Sequence, residues 1–357
     1  MLKIKSIHIQ NFKGIEDLKI DFTYQGNDTI LDNIVFYGIN GSGKSTILEA
    51  IYLFLLVNSL FLSDYKLKKK SEIKQILSEN KNVDFSEFIQ TRENIENILE
   101  RYINFNEEWI YNNKNKFIID VNYSFHGHIL KGNIEYIKNQ GINLKDNSLE
   151  NIIKENFIYL SSYRLLNPEL VRTIDWQILD NIPISSYFLD KLHKQSLSTL
   201  SLQFDNNYKH TKQFLINLIN DKLSSGLSDE NQKILNKIHQ AFKLFFPTKV
   251  FHERLSKQEQ YYKLAIENED GSIVDIDQLS SGEREIMAFF TYLCRQYTDD
   301  TSIIIIDEPE LHLHAKWQAI ILPSLRELFP KAQIFMASHS QEIHKGLSKS
   351  EIFKLSK

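Results

Sequence analysis

One cysteine, Cys294, is all that 357 residues carry. A single thiol can neither close an intrachain disulfide nor supply a cysteine zinc site, which fits a reducing compartment and makes a cytoplasmic location the expectation. The chain also lacks an excess of positive charge. Its formal net charge of −4 gives no global attraction to nucleic acid, so a DNA contact would need a local basic patch. Long apolar runs are missing as well. The N-terminus MLKIKSIHIQNF has no signal-peptide core, and the nearest membrane candidate, Ile51–Leu62, is too short to span and continues another helix. No membrane role is therefore expected. There is no internal repeat, low-complexity linker or sustained heptad.

What is present is globular: 42% hydrophobic and 12% aromatic residues, enough for a large core. Residues 2–10 alternate like a strand with one slip in phase, 16–22 read as its partner, and 30–37 as a buried strand ending at Gly38. A helix is predicted from Lys44 to about Leu62. A hairpin around Gly127 spans 116–137, and 157–162 is a further strand. Helical patterns dominate 167–246. Strands then return before and after Asp270-Gly271, a helix starts near Ser281, and SIIII (302–306) and AQIFMAS (332–338) are buried strands.

GINGSGKS, Gly38 to Ser45, matches G-x-x-x-x-G-K-[ST] between a strand and a helix. Gly38, Gly41 and Gly43 permit positive φ and let backbone amides approach phosphate oxygens. The following helix turns its N-terminal amides to the same anion. Lys44 supplies the charge that bridges β- and γ-phosphates, and the Ser45 hydroxyl suits Mg²⁺. Asn40, Ser42 and Thr46 complete the cradle. The isoleucine strand delivers Asp307 and Glu308 to its C-terminal end, Asp307 for the metal's water shell and Glu308 to deprotonate the attacking water. His339, after the last buried strand, is placed to sense the γ-phosphate. His312 and His314 with His339 and His344 have weak zinc spacing, and a structural or interface role is the better reading. LSSGE (279–283) on its own is a good helix N-cap.

In sequence order GINGSGKS, LSSGE, IIIIDEPE and SHS resemble the Walker A, signature, Walker B and switch-histidine motifs of ABC ATPases. IKSIHIQNFKGIEDLKIDF resembles the first strands of RecF, SMC and double-strand-break-repair ATPases. DEPELHLH is similar to the phrasing of the overcoming-lysogenization-defect group and of anti-phage ATPases such as Septu, retron-linked ATPases and PARIS. The matches cover roughly residues 1–60 and 250–357. The resemblance implies an α/β ABC-type head, with a mixed sheet core, a P-loop helix, an N-terminal antiparallel β-subdomain and a mostly helical insertion. Its parts would be an N-terminal lobe with Walker A (1–63), a helical insertion (64–115), a hairpin and core strand (116–165), a helical lobe (166–247) and a C-terminal lobe (248–357).

The same resemblance implies ATP and Mg²⁺ as ligands and Lys13 as a basic residue near the nucleotide. It also implies a head-to-tail homodimer in which Ser280, Ser281 and Gly282 of one copy cap the γ-phosphate held by the other. No Q-loop glutamine is evident, Ser161–Arg164 being the nearest segment. His314 stands where other families carry a D-loop aspartate. The sequence ends soon after His339 without a Toprim nuclease domain, so a separately encoded effector such as a nuclease is the expected partner. Against this defence reading stands a RecF-like DNA repair or chromosome-maintenance ATPase, for which YKLKKK (65–70) could touch phosphates. A transporter subunit and a non-hydrolytic scaffold fit less well.

Overall fold

The computed structural model describes residues 1–24, 27–55, 57, 109–138, 141–145, 156–160, 211–258, 261–299, 301–311 and 313–356. Most of the two expected helical segments, together with residues 65–70, residues 161–164 and His312, lies outside the described residues.

Three sheets carry the fold. The first is antiparallel, in the order β2 (Ile15–Asp21), β1 (Leu2–Phe12), β4 (Lys116–Phe125), β5 (His128–Ile137), β6 (Gly141–Lys145). Residues 116–145 thus share a sheet with the N-terminus. The slip in phase along β1 is a bulge between Ile4 and Ser6. It lets Leu2 and Ile4 face the core on one side of the break and Ile7 and Ile9 on the other. The β4–β5 turn uses His126 and Gly127, both at positive φ, as a two-residue hairpin demands.

The second sheet, in the order β13 (Ile352–Leu355), β3 (Asn33–Gly38), β12 (Gln333–Ser338), β11 (Thr301–Asp307), β7 (Asn156–Leu160), is parallel at every pairing. The mixed character expected of the fold is therefore divided between sheets rather than found within this one. Every residue of β11 and β12 is buried, which explains their unbroken apolar runs. Ile303 and Ile305 join one core with the antiparallel sheet and helix α1 (44–55). Ile304 and Ile306 face the other core, with α2 (Thr211–Ser224), α3 (Asp229–Phe245), α4 (Ser281–Gln296) and α5 (Ala315–Leu328). The period of two assigns neighbouring isoleucines to opposite layers. A third sheet, β10 (Ile273–Asp275), β9 (Tyr261–Glu267), β8 (Val250–Gln258), leads into the Ser280 segment.

Close approach fixes the layers. Phe54 of α1 lies where a Cβ on Gly132 would come within 2.7 Å of its ring, so glycine in β5 lets the helix seat against the sheet. Phe22 packs edge-on to Phe36, Phe335 and Phe353, tying the end of the N-terminal hairpin to the parallel sheet. Between the layers, the fully buried Gln333 amide accepts from Ile4 N at 2.7 Å and donates to Ile4 O at 3.0 Å and Leu31 O at 2.9 Å. Leucine there would leave three backbone groups without those partners, at about 1 kcal/mol or more each. Gln333→Leu should therefore lower unfolding free energy by about 2–4 kcal/mol, read as a shift in urea midpoint at unchanged slope. An unshifted midpoint would remove Gln333 as the inter-layer tie.

Candidate active site

The loop between β3 and α1 is shaped by its glycines for two different reasons. Gly41 and Gly43 adopt φ of 75° and 90°, in the left-handed region where a Cβ is penalised. Gly38, contrary to expectation, does not share that conformation. Its constraint is space, since a Cβ there would sit 2.5 Å from the Leu355 carbonyl oxygen of β13 and 2.9 Å from Ser42 Oγ. Paired with Leu355 on the edge strand, Gly38 must be bare so that the loop can leave the sheet.

Lys44 folds back over this loop. Its Nζ donates to the carbonyls of Gly38 and Ile39, each at 3.0 Å, and stands 3.4 Å from His339 Nδ1. Burial pushes its pKa below the ordinary lysine value, and the nearby carboxylates of Asp307, Glu308 and Glu310 act against that shift. Ser45, one residue into α1, donates its hydroxyl to Asp307 Oδ1 at 3.1 Å. A hydroxyl and a carboxylate oxygen so placed suit a hard divalent cation. The buried Ser42 hydroxyl has no hydrogen-bond partner among the described residues. A glycine-shaped loop at a helix N-terminus, an ammonium resting on carbonyls beside a histidine, and an unsatisfied hydroxyl together fit a phosphate chain with its metal.

β11 ends at Asp307, and Glu308 then takes φ of 49° directly before Pro309. That conformation is sparsely populated for a non-glycine residue, and the proline restricts it further. The Glu308 N–H donates to Ala337 O of the neighbouring strand at 2.8 Å, which holds the turn. Its carboxylate Oε1 lies 3.4 Å from His339 Nε2. Asn40, Gly41, Gly43, Lys44, Ser45, Thr46, Glu308 and His339 line one cavity of about 230 Å³. Residues 260 and more apart in sequence thus meet because β3, β12 and β11 are adjacent and parallel, with their C-terminal ends together.

Two further groups lie outside that cavity. Lys13, at φ 49°, bonds Glu49 Oε2 of α1 at 2.6 Å and sits over the Phe12 and Trp109 rings. It is not among the residues lining the cavity. Ser280, Ser281 and Gly282 line a second cavity of about 510 Å³ with His314, Lys316 and Trp317. There Ser280 caps α4: its Oγ accepts from Glu283 N at 3.3 Å and Glu283 Oε2 accepts from Ser280 N at 2.9 Å. Lys249 holds the same glutamate at 2.7 Å. His314 is the N-cap of α5. His344 packs edge-on against Tyr37 with ring centroids 4.5 Å apart. Among the described residues no group of three or more metal-ligating side chains is found, and no helix is long and apolar enough to cross a membrane.

Sequence reasoning passed over Glu310, Ser338, Ser340 and Gln318. Glu310 Oε1 accepts from His339 N at 2.5 Å and Ser338 Oγ at 2.9 Å. Ser340 Oγ donates to Gln318 Oε1 at 2.6 Å. Glu310 closes the DEPE motif, but its contacts are 28 and 29 residues away and only the strand order reveals them.

The chain is similar to "Retron Ec83 probable ATPase" of Escherichia coli, 28% identical over 99% of this chain and 71% of that protein. "Septu protein PtuA" of Bacillus thuringiensis is 24% identical over 99% of this chain and 76% of its own length. Among solved structures, the SmcHead bound to the C-winged helix domain of ScpA covers 96% of this chain and 91% of that one at 11% identity, with a TM-score of 0.49, a likeness too loose to carry weight. A family model described as "AAA domain, putative AbiEii toxin, Type IV TA system" matches residues 34–343, which is most of the chain. The chain belongs to that family and is an ATPase.

Proposed function

We propose that this chain binds MgATP between two copies of itself, hydrolyses it with Glu308, and serves as the ATPase switch of a prokaryotic anti-phage defence system with a separate effector such as a nuclease. The observation that carries the site reading is the meeting of Lys44, Ser45, Glu308 and His339 on one cavity. In that reading the loop amides and Lys44 Nζ donate to β- and γ-phosphate oxygens. Ser45 Oγ and Asp307 would hold the metal, which would supply positive charge to the phosphate oxygens. The Glu308 carboxylate accepts a proton as water attacks the γ-phosphorus, giving ADP and phosphate. His339 donates to the γ-phosphate.

Dimerisation is supported by a separation. The Ser280–Gly282 segment lines a different cavity from the P-loop of its own chain, so in this reading its hydroxyls and the amides of Ser281 and Gly282 would face a second copy's nucleotide. Head-to-tail pairing closes both sites by symmetry. The defence role rests on similarity to the retron and Septu proteins over nearly the whole chain. Affinity purification of the protein from its native host, followed by mass spectrometry, should recover a stoichiometric effector. Recovery of the protein alone, with ATP-dependent and salt-sensitive DNA binding, would instead favour the repair-type ATPase.

A further inference from the structure

Glu310, the last residue of DEPE, makes contacts that the hydrolytic chemistry does not require of it. We propose that Glu310 is a positioning residue whose Oε1 holds the His339 turn at working height above the P-loop. The inference rests on the reading that His339 faces the γ-phosphate.

The left-handed turn at Glu308 and the rigid Pro309 bring Glu310 back beneath the end of β12. There a single oxygen, Oε1, accepts both the His339 amide at 2.5 Å and the Ser338 hydroxyl at 2.9 Å. Ser338 is fully buried, and its Oγ in turn accepts the Ser340 amide at 2.9 Å. Two successive amides of the turn after β12 are thus tied, directly or through one hydroxyl, to one carboxylate oxygen. The His339 ring is the moving part that this tie restrains. Its two nitrogens stand 3.4 Å from Lys44 Nζ and 3.4 Å from Glu308 Oε1, distances that a small shift of the turn would change.

Glu310 bears on the site in two ways, through the reach of Oε1 and through a charge that acts on Lys44. Among the described residues, Glu310 Oε2 is buried without a donor, and no lysine or arginine forms a salt bridge with Glu310. Here one oxygen bears the whole load.

Charge and reach can be separated by two conservative changes, with ATP turnover measured on the full chain. Glu310→Gln keeps an oxygen acceptor at the same reach and removes the charge. Glu310→Asp keeps the charge and withdraws the acceptor by one methylene. The expected result is that the glutamine variant holds kcat within about threefold of the parent. The aspartate variant should lose about tenfold to a hundredfold in kcat with KM for ATP changed less than about threefold, as displacing an aligned group does. The thermal midpoint of the glutamine variant should stay close to the parent's, and the aspartate variant should still melt cooperatively at a midpoint lowered by the two withdrawn bonds. An aspartate variant with parental kcat overturns the proposal, and so does a glutamine variant that loses turnover. His339→Ala, run alongside, tests the underlying reading separately. If it leaves kcat unchanged, His339 is not the group being positioned. If it lowers kcat while Glu310→Asp does not, only the role of Glu310 fails.

Discussion

Glu308→Gln is expected to cut kcat for ATP by at least about a hundredfold, the scale of losing a positioned general base, while ATP affinity stays within a few-fold. The Glu308 side chain is part of the cavity wall and its Oε1 lies 3.4 Å from His339 Nε2. Glutamine preserves that volume and removes the proton acceptor. The strained backbone at φ 49° belongs to the turn and not to the carboxylate, so the fold should tolerate the change. If ATP joins two copies, an enzyme that cannot hydrolyse it should accumulate as a pair with MgATP and return to single chains with ADP. Light scattering reads this directly. Turnover within about threefold of the parent would remove Glu308 as the base.

Lys44→Ala should abolish measurable ATP binding. The Lys44 ammonium is nearly buried, and among the described residues two loop carbonyls and the His339 ring are the contacts that hold it. Charge-assisted bonds to two phosphate oxygens at about 1.5–3 kcal/mol each amount to a loss of about a hundredfold or more. Stability should move little, because the same burial that lowers the lysine pKa makes the unliganded ammonium costly to keep. Fluorescent ATP-analogue titration beside a melting curve distinguishes the two effects. Retained affinity would refute the phosphate-cradle assignment.

Local signals in the sequence carried much of this site. The G-x-x-x-x-G-K-S loop, the isoleucine run ending in Asp307-Glu308 and the strand before His339 are each readable from neighbours in the chain, and strand adjacency only had to bring them together. The slip in phase along the first strand likewise became the bulge at Ile4. What stayed hidden depends on contacts far apart in sequence. Gly38 is required by Leu355 some 300 residues later and not by its own φ. Lys13 has a ready partner in Glu49 on the P-loop helix, which no motif announces. Glu310 and Gln333 resemble ordinary polar residues until the parallel order of β3, β12 and β11 gives each its partners. Ser280 satisfies its own helix, so its capping bonds by themselves carry no sign of a second copy's phosphate.

Mixing two inactive variants asks most directly whether each copy completes the other's pocket. Lys44→Ala removes the cradle, and Gly282→Asp sets a negative charge in the first turn of α4, where an acidic residue favours the helix but repels phosphate. In a head-to-tail pair of the two, one pocket combines both defects and the other combines neither. With random pairing of equal amounts, steady-state hydrolysis should recover to roughly a quarter of the parent's specific activity. A mixture as inactive as its components would contradict the shared pocket.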